Sequence, residues 1–260
     1  KDLSYVSKMN VKEYTLYQKW CEVHDKYPTQ EVNSFFDDKP TLKDPKQGAL
    51  LQEIKNNFWL PEDPEEYLNL QPELLWTDGD EIKSITGSEM PAIWNGMRTF
   101  LSTMKNNSNI GRNLNFLIRD KVSKKLLGVT CMSSDFLDLT PRDSYIGWER
   151  EAKTKRMINH TCIGSTIVPI QPLGYNLVGG KLLALLCLSK TVEDTWEYQY
   201  KDKLVGITTT SLYGKTKEIP LSQYDRLKYW KKMGWTAGSV SYEPLLPTRK
   251  MIQAWLMKNH

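Results

Sequence analysis

Four short apolar runs, separated by polar segments, constrain the fold of this chain more than any other feature. The runs at 114–119 and 126–132 are joined by a polar turn, so their spacing predicts a β-hairpin. A third run, 161–168, is followed at once by a proline, and a fourth, 204–212, is rich in β-branched residues. Strands of this kind need helices or a second sheet to cover their apolar faces.

Helical patterns lie before, between and after these strands. Residues 91–104 place apolar side chains on one face, and 177–198 has the length and pattern of a long helix. Residues 221–233 are a further helix candidate, closed by Gly234, and 235–242 resemble a last strand. This order of elements predicts a three-layer α/β fold.

Charge divides the chain into two parts. Residues 1–80 hold 9 Lys, no Arg and 16 acidic residues, a net charge of −7, whereas residues 81–260 carry +11. We interpret 1–82 as a mostly helical accessory region, with candidate helices at 11–27 and 48–59 and a surface for a protein partner. Residues 83–260 form the main domain. The positive charge of the main domain favours a polyanionic partner such as DNA, and a solvated lysine-rich surface is the equal alternative.

The composition, with 40% hydrophobic and 25% charged residues, is that of a globular protein and excludes a disordered chain. No apolar run approaches the ~18–20 residues that span a bilayer, and the N-terminus shows no signal-peptide pattern, so no membrane partner is predicted. The four cysteines form no C-x-x-C pair and indicate reduced thiols. We therefore expect a cytoplasmic protein of a bacterial or phage-infected cell, with the virion as the alternative.

Three local motifs carry a first resemblance. The strand that ends at Pro169 leads through Gln171-x-x-Gly174 into a helix, a later segment ends in Gly234-Trp235 after Tyr229, and the hairpin precedes both. Together they resemble the GNAT acyltransferase fold. This resemblance implies a mixed, mainly antiparallel central sheet flanked by helices, with a small molecule between two neighbouring strands.

A closer resemblance covers residues ~114–240. Its most specific piece is Arg142-Asp143-x-Tyr145-Ile146-Gly147-Trp148, and Asp194-x-Trp196 is a later anchor. The series is similar to the DruA-like family of the Druantia anti-phage system, itself distantly similar to the phage protein Mom, which modifies adenine in DNA. The chain departs from that family at 162–169, where the family has Arg-Phe-Leu-Ile-Leu-Pro. The resemblance implies a GNAT-like transferase that modifies DNA bases, in a phage or anti-phage setting.

The turn after Pro169 is the candidate cofactor site. The GNAT resemblance implies that it holds the pyrophosphate of an acyl-CoA or a related nucleotide-containing donor, and backbone N–H groups at a helix start favour such an anion. An asparagine stands where the GNAT pattern has a small residue, so a plain strand-to-helix connection is the alternative. The candidate residues are Gln171, Gly174, Asn176, Gly179, Gly180 and Lys181.

The Arg-Asp-x-Tyr-x-x-Trp string is the candidate base site. Tyr145 or Trp148 could stack a flipped base while Arg142 holds a phosphate. The alternative is a core tryptophan beside a local ion pair of Arg142 and Asp143. Further phosphate contacts are predicted for the cations that follow, or else a solvated face: Arg150, Lys153, Lys155 and Arg156.

Three residues are candidates for proton transfer. Asp143 or His160 would take the proton when the exocyclic amine of a base attacks the donor, and Tyr213 lies where GNAT enzymes often place a tyrosine acid. A structural histidine is the alternative for His160. No ligand-spaced pair predicts a metal site. Two other functions stay open: a catalytically inactive DNA-binding or defence module on the same fold, and a phage virion or structural protein with an apolar interface in residues 1–80.

Overall fold

A five-stranded sheet forms the centre of the protein in the computed structural model. The structure describes residues 54, 56–61, 63–79, 84–85, 88–102, 109–170, 173, 179–211, 224–236 and 257. The strands are β1 (Pro72–Trp76), β2 (Ser84–Ile85), β3 (Ser88–Glu89), β4 (Asn113–Asp120), β5 (Leu126–Ser134), β6 (Thr161–Pro169) and β7 (Gly206–Thr208). The sheet order is β1-β4-β5-β6-β7, and β2 and β3 pair separately.

Six α-helices accompany these strands in the described residues. They are α1 (Pro64–Leu68), α2 (Met90–Leu101), α3 (Thr140–Ile146), α4 (Arg150–Thr154), α5 (Gly179–Leu186) and α6 (Lys190–Tyr200). A short 3₁₀ helix, Met157–His160, leads into β6.

The sheet is mixed and mainly antiparallel. β1–β4, β4–β5 and β5–β6 are antiparallel pairs, and β6–β7 is parallel. This confirms the predicted α/β class with a mixed, mainly antiparallel sheet flanked by helices. β1 lies before the predicted domain boundary at residue 82, so the sheet begins within the segment interpreted as accessory.

Helices cover both faces of the sheet. On β5, Val129 belongs to the apolar cluster of α2, which includes Met97, whereas Met132 packs in a second cluster with Trp196 of α6. Successive side chains of a strand point to opposite faces, so these two clusters mark the two sides of the sheet. Helix α2 lies on one side and α6 on the other.

Several predicted elements are confirmed. The hairpin pairs Leu117 with Val129, the helix predicted at 91–104 is α2, and the strand predicted at 161–168 is β6. β5 is buried along almost its whole length, because the sheet continues on both sides of it and helices cover both faces.

The prediction of one helix over 177–198 is wrong, because the chain turns between α5 and α6. The N–H groups of Leu188 and Ser189 bond carbonyls only three residues back, and Ser189 has an extended conformation where α6 begins. The turn lets Leu183 of α5 and Trp196 of α6 both reach full burial. The need to cover two parts of the sheet outweighs the continuous helical pattern.

The prediction of a helix over 221–233 is also wrong for the residues described there. Residues 224–226 and 228–229 form turns, and the rest of 224–233 is irregular. Arg226 and Tyr229 have φ values of +68° and +71°, which a right-handed helix does not contain. Trp230 holds this segment in place, since its Nε1 donates to the carbonyl of Ala184 at 3.1 Å. Of the strand predicted at 235–242, the first two residues are not in a strand.

Other predictions fall largely outside the described residues: the helix at 11–27, most of the helix at 48–59, and the rest of the last strand.

Within the described part of the chain, no helix has both the length and the apolar character that crossing a bilayer requires. No group of three or more His, Cys, Asp or Glu side chains suited to a metal ion occurs in that part. Cys131, Cys162 and Cys187 are free, buried thiols.

Candidate functional site

The parallel pair of β6 and β7 ends after three residues. Ile163 pairs with Thr208, and beyond them β6 continues to Pro169 with β5 as its only strand partner among the described residues. The Oγ1 of Thr209 donates to the carbonyl of Gly164 at 3.1 Å where the two strands part. β7 is thus shorter than the strand predicted at 204–212. We call the region beside residues 165–169 of β6 the gap.

Five polar side chains contact one another at the gap and form what we call the polar cluster: Asn109, Asn113, Cys131, Ser133 and Ser165. Ser133 is its centre. Its Oγ lies 2.7 Å from Ser165 Oγ, accepts from Asn109 Nδ2 at 2.7 Å and donates to Asn113 Oδ1 at 3.0 Å. The Sγ of Cys131 lies 3.3 Å from the same hydroxyl.

A β-bulge presents Ser165 to solvent. Cys131 pairs with Thr166 and Met132 with Gly164, so Ser165 has no partner on β5. Ser165 is exposed, although Gly164 and Thr166 on either side of it are buried. The bulge therefore places a hydroxyl group at the surface in the middle of an otherwise covered sheet.

The polar cluster is uncharged. Burial raises the pKa of the Cys131 thiol, and hydrogen bonds with Ser133, Ser165 and Asn109 only partly oppose that effect. The thiol therefore stays protonated near neutral pH. Amide and hydroxyl groups of this kind can recognise the hydrogen-bonding edge of a neutral molecule.

An ion-pair network, buried except for the exposed Asp138, lies where β5 ends. We use this name for Asp135, Asp138, Arg142, Asp143 and Lys153. The Arg142 guanidinium lies 2.7 Å from Asp135 and 2.6 Å from Asp143, and the Lys153 amine lies 2.7 Å from both Asp143 and Asp138. The Asp135 side chain is fully buried, and burial raises its pKa against the opposing effects of Thr161 and Arg142.

The network is joined to the sheet beside the gap. Thr208 of β7 donates from Oγ1 to the carboxylate of Asp135 at 3.1 Å. Since β7 parts from β6 just after Thr208, the network supports the point where the gap begins.

Asp143 has both carboxylate oxygens occupied. Oδ1 accepts from Arg142 at 2.6 and 2.9 Å, and Oδ2 accepts from Lys153 at 2.7 Å and from the Leu139 N–H at 3.0 Å. Burial acts to raise the pKa of Asp143, but these hydrogen bonds together outweigh it and lower the pKa. The geometry favours the ion-pair alternative, and the catalytic role of Asp143 stays a prediction.

The other residues of the string occupy different environments. Trp148 is half-buried, with the Arg142 guanidinium 5.4 Å from its ring centroid, whereas Tyr145 is exposed. Gly147 ends α3 with φ +79°, a left-handed conformation that explains the glycine of the motif. Among the cations that follow, Lys153 is buried in the network, and the exposed ones are Arg150, Lys155 and Arg156.

His160 lies at the far end of β6 from the predicted cofactor turn. Its Nδ1 is 2.8 Å from the carbonyl of Lys203, and the strand that follows separates it from the turn after Pro169 by about 30 Å. The structure therefore does not bring His160 and that turn together. Tyr213 lies outside the described residues.

Three of the predicted cofactor residues, Gln171, Gly174 and Asn176, lie outside the described residues. The other three open helix α5. A Cβ added to Gly179 would lie 2.6 Å from Leu173, so this glycine allows close packing. Gly180 and Lys181 are exposed, and a Cβ on Gly180 would meet no atom within 4 Å.

Reasoning from the sequence missed the polar cluster and Asp135. Cys131 and Ser133 alternate on an apolar strand, which is a weak sign of a polar spot on one face of the sheet. Their contacts with Asn109 and Ser165 come from distant parts of the chain, and no local pattern indicates them.

Comparison with known proteins gives a family. The model of the family "Druantia protein DruA" matches residues 81–245. The Druantia protein DruA of Escherichia coli (strain UMEA 4076-1) is 30% identical over 143 residues, which cover 50% of this chain and 35% of that relative. This chain thus corresponds to well under half the length of that relative. No solved structure matches it.

Proposed function

The chain belongs to the DruA family of the Druantia anti-phage system, and from this membership we propose that it is a GNAT-like transferase that modifies the bases of DNA. The membership supports a role in defence against phage. The chemistry of the proposal depends on the gap, the polar cluster and the helix start beside them.

The parting of β6 and β7 is the observation that carries the proposal. The GNAT resemblance implies two neighbouring strands that separate to admit a small molecule, and this parallel pair ends after three residues. The order of elements agrees with that resemblance: a helix, three antiparallel strands, a helical crossover and a parallel strand. A ligand in the gap could bond the backbone groups of residues 165–169 that lack a strand partner among the described residues.

The residues present at the start of α5 fit a phosphate-containing donor. The first turn of α5 holds no acidic residue, Gly180 leaves open space, and the Lys181 ammonium is exposed. Backbone N–H groups at a helix start favour an anion. An acyl-CoA bound there would supply an activated acyl group.

The polar cluster fits a base better than it fits a charged acceptor. Its hydroxyl and amide groups can bond the edge of a flipped base, and asparagine is a common partner of adenine. The oxygen of the Ser165 hydroxyl would orient the exocyclic amine of the base by accepting a hydrogen bond from one of its N–H groups. In the transfer, the amine nitrogen would form the new bond to the acyl carbon, the carbon–sulfur bond of the donor would break, and the departing thiolate would take the amine proton.

A blocking substitution tests the proposal. Ser165→Leu fills the exposed side of the bulge. It removes one partner of the buried Ser133 hydroxyl, which keeps its bonds to Asn109 and Asn113, so we expect the protein to fold and the gap to close. Nucleosides from the DNA of cells that express the wild-type chain should include a modified base in mass spectrometry. The Ser165→Leu variant should lose it.

The matched control is Gln199→Leu, which places the same side chain on exposed α6. It should leave the modified nucleoside at the wild-type level. Unmodified nucleosides with the wild-type chain, or equal modification by Ser165→Leu, would contradict the proposal.

One observation favours a second function, an inactive DNA-binding module on the same fold. Asp143 has both carboxylate oxygens held in hydrogen bonds and ion pairs, and His160 lies at the other end of β6 from the gap, so neither predicted base is placed to take a proton there. An unchanged nucleoside profile together with salt-sensitive DNA binding would support this second function over the transferase.

A further inference from the structure

We infer that a row of aromatic and lysine side chains, exposed except for the half-buried Trp235, binds single-stranded DNA. This aromatic–lysine strip consists of Tyr145, Lys228, Tyr229, Lys231, Lys232 and Trp235. The inference deepens the proposed function, and the choice of DNA as the ligand rests on it.

Every ring of the strip is paired with a lysine. In each pair the ammonium nitrogen lies 4.3 to 4.9 Å from the ring centroid, and the pairs are Lys231–Tyr145, Lys228–Tyr229 and Lys232–Trp235. Surfaces that bind single strands combine rings on which bases stack with cations that follow the phosphates. At each of its three rings, the strip therefore offers an aromatic face for a base and an ammonium group for a phosphate.

Tyr229 is held away from the core by its backbone. Its φ is +71°, an unusual conformation for an aromatic residue, and its side chain is 77% exposed. The neighbouring Trp230 turns inward and bonds the carbonyl of Ala184. Strained backbone that exposes a large ring while its neighbour anchors the segment is typical of a binding position.

The strip contacts elements that pack next to the two strands bordering the gap. Trp230 fixes the segment to α5, which packs on β6, and Gly234 lies beside Pro141 of α3. Helix α3 is in turn tied to β7 through the bond of Thr208 to Asp135. A strand on the strip would therefore pass next to the gap.

The charge of the segment fits a polyanion. Residues 224–236 contain four cations against the single acid Asp225, a net charge of +3. Asp225 lies 3.9 Å from Lys232, so its charge is partly compensated.

Rings stack only on unpaired bases, because a duplex buries its base faces, and a single strand is therefore the better ligand.

Fluorescence anisotropy with a labelled single-stranded DNA of ~12 nucleotides, a length within the usual site sizes, tests the inference. We expect tighter binding of this strand than of the same sequence as a duplex. Tyr145→Ala and Tyr229→Ala should each weaken binding roughly 5- to 150-fold through lost stacking. Tyr229→Phe keeps the ring and should bind like wild type, and Lys228→Ala should lower the salt slope by about 0.7.

The matched control is Tyr198→Ala. Tyr198 is 65% exposed on α6 and has Lys201 4.7 Å from its ring centroid, but it lies outside the strip. This variant should bind like wild type. Equal affinity for the duplex, a preference for the RNA counterpart, wild-type binding by either tyrosine-to-alanine variant, or an equal loss in Tyr198→Ala would each overturn the inference.

The outcomes separate this inference from the proposed function. Base modification combined with wild-type binding by Tyr229→Ala would contradict DNA binding by the strip and leave the proposed transferase function supported. Ring-dependent binding of single strands without any modified nucleoside would support DNA binding by the strip and contradict the proposed transferase function.

Discussion

Arg142 and Asp143 belong to an ion-pair network that connects elements of the fold. Arg142 is almost fully buried between Asp135 and Asp143, and its charge compensates two carboxylates at once. Removing one partner from such a network leaves a buried charge, which is costly. The most specific piece of the family motif therefore includes a structural network at the edge of the gap.

The ion-pair network should make stability depend on pH. The pKa of Asp143 is lowered in the folded protein, so the unfolded chain takes up the proton first. The stability that this carboxylate contributes is complete above its ordinary pKa and is lost as the pH falls through the lower, folded value. Asp143→Asn should therefore reduce the loss of unfolding free energy below about pH 5, measured by urea unfolding at a series of pH values.

Asp78→Asn is the control for this prediction, because Asp78 is exposed. It should keep the wild-type dependence on pH. An Asp143→Asn variant that loses stability with falling pH as steeply as wild type would show that the carboxylate is not held in this network.

Single residues were predictable from sequence only where their partners are close in the chain. The ion pair of Arg142 with Asp143 was one of two interpretations because the residues are adjacent. Lys153 and Asp135 join that pair through folding, as Ser165 joins Ser133 across the bulge. Burial and hydrogen bonds between strands determine the surroundings of these side chains. The sequence near each residue gives no sign of those long-range contacts.

At the scale of elements, Gly128 lets α5 pack on the sheet. A Cβ at this position would lie 2.6 Å from the carbonyl oxygen of Val168 and 2.7 Å from Leu183. Both neighbours are fixed by strand pairing or by core packing, so neither can move freely. Gly128→Ala should destabilise the protein by about 1–3 kcal/mol in urea unfolding.

Gly180→Ala is the matched control for Gly128→Ala. Gly180 lies on α5 with open space around it, so the added methyl group should stabilise the helix by about 0.5–1 kcal/mol. Wild-type stability of Gly128→Ala would mean that α5 does not contact β5 as described.

Elements were predictable where one local pattern decides them. Two short apolar runs joined by a polar turn defined the hairpin, and a one-sided apolar face defined α2. The pattern over 177–198 gave no sign of the turn before Ser189, since covering two parts of the sheet imposes it. The positive φ values of Arg226 and Tyr229 likewise depend on the anchor of Trp230 to α5.

At the scale of the whole molecule, the surfaces that we propose as functional are connected to β6 or to the elements packed beside it. The gap follows the last pair of β6 with β7, the polar cluster borders it, and the aromatic–lysine strip lies beside it. The sequence predicted the two neighbouring strands and a positively charged main domain. It did not predict the early end of β7 or the strip, because both depend on how distant segments dock.

Hydrogen–deuterium exchange of the full chain tests most directly whether the gap is a ligand site. Amides of residues 165–168 that point away from β5 have no strand partner among the described residues, so they should exchange faster than those of β5. Coenzyme A together with a single-stranded oligonucleotide should slow exchange in the peptides that cover 165–169 and the start of α5, and leave β1 unchanged. Protection confined to other segments, or none at all, would contradict a ligand site between β6 and β7.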